Sequence, residues 1–228
     1  LKKINISKPI DTIYQWINDK IFFDIPNNEN IKKKYNIPSN HFVIGSFQKD
    51  TEGKNNQNIP KLSKGPDVFL NIAIDLNKQH TNFLVILTGL RREYLIENFK
   101  KYNIKYLYFN MVSLQEINEL YNCLDLYIIS SRYEGGPRSV FEAGITKTPL
   151  ISTKVGIAND LLPIESFFNV NDFITYKNAK PNKEKLYNTI INLKYDEQVK
   201  YFNNYLQTCI NKKENINQFE NCLLKQNN

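Results

Sequence analysis

At 228 residues the chain is long enough for one sizeable domain with its own core, and 41% hydrophobic and 23% charged residues exclude a disordered segment. No apolar run approaches the ~20 residues needed to span a bilayer, and the opening Leu1-Lys2-Lys3-Ile4-Asn5 lacks the apolar stretch and cleavage site of a signal peptide. The expectation is a cytoplasmic protein, with peripheral contact at the inner face of the membrane as the alternative setting; the net charge of +7 admits nucleic acid, an anionic surface or phosphate-bearing ligands as partners.

The odd set Cys123, Cys209 and Cys222 contains no CxxC pair, so it reads as reduced thiols and not as a disulfide framework. His41 and His80 lie far apart, with no Cys or His at ligand spacing, which argues against a zinc site. The densest basic run, Lys32-Lys33-Lys34, falls on an expected helix before Tyr35 and reads as a solvated face.

The first ~36 residues contain Pro9 and Pro26 and read as a connector leading to the first strand, with a domain expected over 37–180 and a helical segment over 181–228. Residues 41–47 (HFVIGSF) read as a buried strand. Residues 66–77 place Val68, Phe69, Ile72, Ala73 and Leu76 at helical spacing, and 83–88 (FLVILT) is a second buried strand closed by Gly89. A helix over 92–102 and a short strand over 105–109 follow. Residues 114–122 form a helix that Ser113 should cap, with Glu116 at its third position. A strand over 126–129, a helix over 140–145 and a strand over 149–152 complete the alternation; 182–193, 197–210 and 215–224 read as helices. Strand–helix alternation with uniformly apolar strands implies an α/β fold: a Rossmann-like, doubly wound parallel sheet with further helices at its carboxyl end. Such a sheet binds ligands beyond the carboxyl ends of its strands, which points to the loops after Phe47, Gly89 and Ile129.

The loop after Ile129, SSRYEGGPRS, leads into a helix near Pro137. Gly135 and Gly136 let backbone N–H groups approach a ligand, and the helix start offers free donors to a phosphate or sugar oxygen. Glu134 precedes this helix and Glu142 lies eight residues later, so the two carboxylates can accept hydrogen bonds from different parts of one ligand. Gln48-Lys49-Asp50 ends the first strand and Lys64-Gly65 precedes the next helix; Lys49 and Lys64 can face the same crevice and would offset a diphosphate charge without a metal. From spacing alone, carboxylates that complement a helix dipole and solvated lysines are the more ordinary reading.

Residues 130–151, SRYEGGPRSVFEAGITKTPLI within them, resemble the E-x7-E signature of the group 1 (family 4) retaining glycosyltransferases of the GT-B fold. Thr148-Pro149-Leu150-Ile151 is similar to that family's "TPVV" strand, Val155-Gly156 to the turn after it, and Leu120 to Leu126 to its "LY…ADL" turn. Leu87-Thr88-Gly89 resembles "vGdG", and Lys64-Gly65-Pro66-Asp67 resembles the "KG.d" lysine region; together the match spans roughly 30–165. Three departures stand out. EGGPRS replaces the family's EGFGLP, the arginine of "GR…KG" has only Lys49 in its place, and the loop from Lys49 to Lys64 is long and polar.

The resemblance implies the C-terminal half of a GT-B enzyme, with an acceptor-binding N-terminal domain missing from this chain and 1–36 as the end of the interdomain connection. It implies a nucleoside diphosphate sugar as donor, transfer with retention to a saccharide or lipid-linked acceptor, and a role in surface polysaccharide or glycoconjugate synthesis. Glu142 would hold the ribose and Glu134 the transferred sugar. Lys64, helped by Lys49 or Arg138, would stabilise the leaving diphosphate, and Gly135, Gly136 and Gly89 complete the donor-binding set. No Asp-x-Asp motif is present, so no cofactor and no metal are expected. The alternatives are a nucleotide-sugar epimerase on the same fold, or a non-catalytic basic module. A nucleic-acid partner is not expected, because Phe42, Phe47, Phe69 and Phe83 fall inside expected elements as core and not as an exposed stacking face.

Overall fold

The apolar runs of the sequence become the centre of a parallel sheet. The computed structural model describes residues 17–53 and 58–191. In chain order these form α1 (Glu29–Lys34), β1 (Phe42–Ser46), β2 (Thr51–Glu52), β3 (Ile59–Pro60), α2 (Pro66–Gln79), β4 (Phe83–Thr88), α3 (Glu93–Lys101) and β5 (Tyr106–Phe109). They continue with α4 (Leu114–Asn122), β6 (Leu126–Ile129), α5 (Ser139–Ile145), β7 (Leu150–Thr153), α6 (Ala158–Leu161), β8 (Phe167–Phe168) and α7 (Glu184–Ile191).

Six strands pair in the order β5-β4-β1-β6-β7-β8, every pair parallel. All six residues of β4 are buried, as a strand covered on both faces requires. Helix α2 turns Val68, Phe69, Ile72, Ala73 and Leu76 into the core, where they meet Val85 and Leu87 of β4 and Ile128 of β6. Full burial of one such side chain contributes roughly 1.5–3 kcal/mol, so the sheet-facing stripe holds α2 in place. Helix α4 starts with the expected reciprocal cap: Glu116 N–H donates to Ser113 Oγ (3.2 Å), and Ser113 N–H donates to Glu116 Oε2 (2.8 Å).

The chain runs outward from β1 through β4 to β5, then returns to place β6 on β1's other side. This reversal makes a crevice at the carboxyl ends of β1 and β6, the place where such sheets take ligands. The loops after Ser46 and Ile129 therefore face one another.

Residues 17–191 make one compact unit, and the strap before α1 is fastened to α4. Phe23 N–H donates to Asn118 Oδ1 (2.9 Å) and Ile25 N–H to Asn122 Oδ1 (2.7 Å). The basic run on α1 is not wholly solvated. Lys33 and Lys34 are exposed, but Lys32 is buried near Cys123, because α1 lies against the domain instead of projecting from it. Of the four aromatics read as core, Phe69 and Phe83 are buried, while Phe42 and Phe47 are half-buried at the two ends of β1. The helix expected from residue 182 is α7; those expected at 197–210 and 215–224 lie outside the described residues. Among the described residues no helix is long and apolar enough to cross a membrane.

Candidate active site

Lys64 ends a short 3-10 turn, Leu62–Lys64, and Gly65 then reverses the chain into α2 with φ +60°. A Cβ at Gly65 would strike the carbonyl of Ser130, so glycine is what lets the Lys64 turn rest on the end of β6. There the Lys64 ammonium forms an ion pair with Glu134 Oε1. Ser131 Oγ donates to the same carboxylate oxygen (3.1 Å). The Lys64 carbonyl accepts from Gln48 Nε2 (3.0 Å) and from Ser130 Oγ (3.2 Å). Three loops, after β1, before α2 and after β6, thus converge on Lys64 and Glu134.

Glu142 lies in the first turn of α5 with its side chain 14% exposed. Burial raises its carboxyl above the usual range, outweighing the Tyr121 hydrogen bond and the Arg138 charge that pull the other way. Tyr121 O–H donates to Glu142 Oε2 (3.0 Å), and Arg138 Nε lies 3.2 Å from Oε1, one turn back on the same helix. Tyr121 belongs to an aromatic group with Phe47 and Tyr127, whose ring centroids are 4.8–5.4 Å apart. Tyr127 O–H in turn accepts from the Phe47 N–H (3.1 Å). This apolar floor explains why the Glu142 carboxylate is costly to ionise.

The remaining expected site residues are less closely joined. Lys49 stands half-buried in the loop after β1, and among the described residues it forms no ion pair. Arg138 is half exposed and turned to Glu142. Gly89 sits at the end of β4 with φ +84°, its N–H donating to Phe109 O (3.1 Å), and open space lies where a Cβ would be. Gly135 presents its carbonyl to Ile157 N–H (3.2 Å), which docks the loop after β7 against the Glu134 loop; Gly136 follows, half-buried. Beside them Arg132, Tyr133, Glu134, Gly135, Lys154, Val155 and Gly156 line an open pocket of about 540 Å³.

Two positively charged residues, Arg132 of the SRYE match and Arg92, to which the sequence alone assigns no role, hold this edge together. Arg132 makes two hydrogen bonds of 2.7 Å to Asp67 and one of 3.1 Å to Leu62 O, while Arg132 N–H donates to Ser63 O (2.9 Å). Arg92 is wholly buried and ion-paired with Asp50 at 2.7 Å. It donates to the Gln48 carbonyl, to Thr88 O (3.2 Å) and to Ser46 Oγ (3.3 Å), so it joins the carboxyl ends of β1 and β4. Burial keeps the Asp50 carboxyl above its ordinary range despite the Arg92 charge. The signal for this pair was present: opposite charges just past two strands that become neighbours.

A polar edge of this kind, with Lys64 against Glu134 and Glu142 on the following helix, coincides with a sequence match. The sequence model of the family described as "Glycosyl transferases group 1" matches residues 60–205, more than half of the chain. The chain belongs to the group 1 glycosyl transferases. One curated relative, uncharacterized protein 356 of Sulfolobus islandicus rod-shaped virus 1, is 33% identical over 101 residues, covering 44% of this chain and 27% of the relative. Among solved structures, sucrose-phosphate synthase from Thermosynechococcus elongatus superposes with a TM-score of 0.66 at 14% identity, over 86% of this chain and 52% of that one. HepE from Anabaena, solved with UDP and glucose, gives 0.61 at 18% identity over 86% and 56%. The C-terminal domain of the group 1 glycosyl transferase LpcC from Francisella tularensis gives 0.60 at 19% identity, over 79% of this chain and 98% of that domain. These likenesses establish the Rossmann-like layer of the GT-B glycosyltransferases as the fold. The chain spans about half the length of the first and second of these enzymes and about a quarter of the viral relative.

Proposed function

We propose that this chain is the donor-binding half of a glycosyltransferase that transfers a sugar, with retention, from a nucleoside diphosphate sugar to a saccharide or lipid-linked acceptor. The observation that carries the reading is the Lys64–Glu134 pair where the loops before α2 and after β6 meet, with Glu142 on the following helix, within a group 1 glycosyl transferase domain. HepE, a structural neighbour, was solved with UDP-glucose, and this chain has at its own crevice the charges that such a donor needs.

In this account Glu142 accepts the ribose hydroxyls and Glu134 accepts hydroxyls of the transferred sugar. Lys64, with Lys49 and Arg138 near the same edge, meets the diphosphate as negative charge grows on it. Gly135, Gly136 and Gly89, with no side chains, leave room for the donor to come close to the backbone of these loops. Charge placed where it develops in the transition state is the main lever, and it acts without a metal cofactor. Lys64 and Glu134 neutralise one another; a bound donor would supply each with a better-matched partner. A second, acceptor-binding domain facing this edge completes the cleft, and surface polysaccharide or glycoconjugate synthesis at the inner membrane face is the setting that fits a basic donor domain.

Saturation-transfer NMR of the chain with UDP-glucose, GDP-mannose and ADP-glucose tests the reading. Saturation of both ribose and hexose protons of one donor is the expected result. Saturation of base protons alone, or of none, contradicts it. Appearance of an epimerised sugar in the same sample would favour an epimerase instead.

A further inference from the structure

We propose that Gln48 is a positioning residue of this site: its carboxamide ties the turn carrying Lys64 to the Ser131–Glu134 loop, and so sets where the Glu134 carboxylate stands when the sugar arrives. The proposal rests on the donor-binding reading above and gives a role to Gln48, which the sequence places at the ligand edge without one.

The backbone at Gln48 is fixed from beneath. The buried Arg92 guanidinium donates to its carbonyl, and Asp50, two residues on, neutralises that guanidinium at 2.7 Å. With its main chain anchored, the side chain has few places to go. The Lys64 carbonyl can only accept, so the amide nitrogen must face it, as it does at 3.0 Å. The amide oxygen is thereby turned to Ser131, whose hydroxyl lies 3.3 Å away.

Ser131 has one proton and two acceptors. Its Oγ stands 3.3 Å from Gln48 Oε1 and 3.1 Å from Glu134 Oε1. The charged carboxylate is the stronger and nearer acceptor, and Gln48 Oε1 stands on the other side of the same hydroxyl. When a diphosphate draws the Lys64 ammonium away, the hydroxyl stays with Glu134 and keeps that carboxylate in register for the sugar hydroxyls. Gln48 is thus the alternative acceptor that holds the hydroxyl in place, and the link that makes the Lys64 turn and the Glu134 loop move as one piece.

Calorimetric titration of the whole chain with UDP, GDP and ADP, and then with the sugar conjugate of whichever base binds, tests this. In Gln48→Ala the nucleoside diphosphate should bind within about 3-fold of the unaltered chain, while the sugar conjugate weakens about 10-fold, the scale of one hydrogen bond to a charged group. Ser131→Ala should show the same split, and the double variant should be no worse than either, because both act through one hydroxyl. If Gln48→Ala does not fold, Ser131→Ala carries the comparison. Equal weakening of both ligands, no weakening of either, or additive losses in the double variant would overturn the role of Gln48 alone. Failure of the unaltered chain to bind any nucleoside diphosphate would overturn the donor-site reading and this proposal with it.

Discussion

Arg132 and Asp67 share two hydrogen bonds of 2.7 Å across 65 residues of sequence, and this fork clamps the Glu134 loop onto the turn that carries Lys64. Burial alone would raise the Asp67 carboxyl. The Arg132 hydrogen bonds and charge, together with backbone N–H groups at the start of α2, outweigh it and hold the carboxyl below its usual range. Arg132→Lys keeps the charge and loses the fork. It should cost about 1 kcal/mol in urea unfolding, since the pair is partly exposed, and should weaken nucleotide-sugar binding more than that cost suggests. Asp67 has a lower pKa folded than unfolded, so its contribution is fully present at neutral pH and is lost as pH falls below about 4. Asp67→Asn should therefore flatten the acid limb of a stability-against-pH curve.

Glu142 carries the opposite sign. Its folded pKa is raised, so the folded state takes up a proton more readily than the unfolded chain, and the ionised group opposes folding at neutral pH. Glu142→Gln keeps an acceptor for the Tyr121 hydroxyl and removes that burden. Its midpoint of thermal unfolding at pH 7 should rise, while affinity for the nucleoside diphosphate falls about 10-fold, one charged hydrogen bond to ribose being lost. A variant with lower stability and unchanged affinity would remove the ribose assignment.

Gly156 has φ +42°, and a Cβ there would strike the carbonyls of Gly135 and Glu134. Gly156→Ala should destabilise the domain by about 1–3 kcal/mol, the cost of a residue held in a sparsely populated backbone region. It should also push the Glu134 loop away from Lys64. Guanidinium unfolding measures the first effect, and the affinity for a nucleotide sugar measures the second.

The buried Arg92–Asp50 pair predicts an asymmetry. Asp50→Ala leaves a guanidinium buried without its counter-charge and should cost about 3–5 kcal/mol, whereas replacing both residues by apolar side chains of similar volume should cost far less. Denaturant midpoints of the single and double variants decide this.

The sheet was legible because its strands are continuous apolar runs: β4 is six buried residues in a row, and that pattern has few other uses. The cap on α4 was legible because Ser113 and Glu116 act on one another over three residues. The strands β2, β3 and β8 were not, since two residues carry no period, and α6 has a single turn. In the site, Glu134, Glu142 and Lys64 stood out through motif spacing, and the structure brings Lys64 and Glu134 into contact. Gln48 lay at the end of the first strand, and Asp67 and Arg132 inside the motif matches, but what they and Arg92 bind was not legible, because most of their partners lie 16 to 83 residues away and only the strand order makes them neighbours. Lys32 departs from the expected solvated face for a related reason: a run of three lysines says nothing about which of them the domain will cover.

The most direct test of the donor-site claim is calorimetric titration of the folded chain with UDP, GDP and ADP in the presence of EDTA. The expected result is saturable one-site binding of one of them, undiminished by the chelator and weakened about 10-fold by Glu142→Gln. No saturable binding by a chain that unfolds cooperatively, or binding that EDTA abolishes, would contradict it.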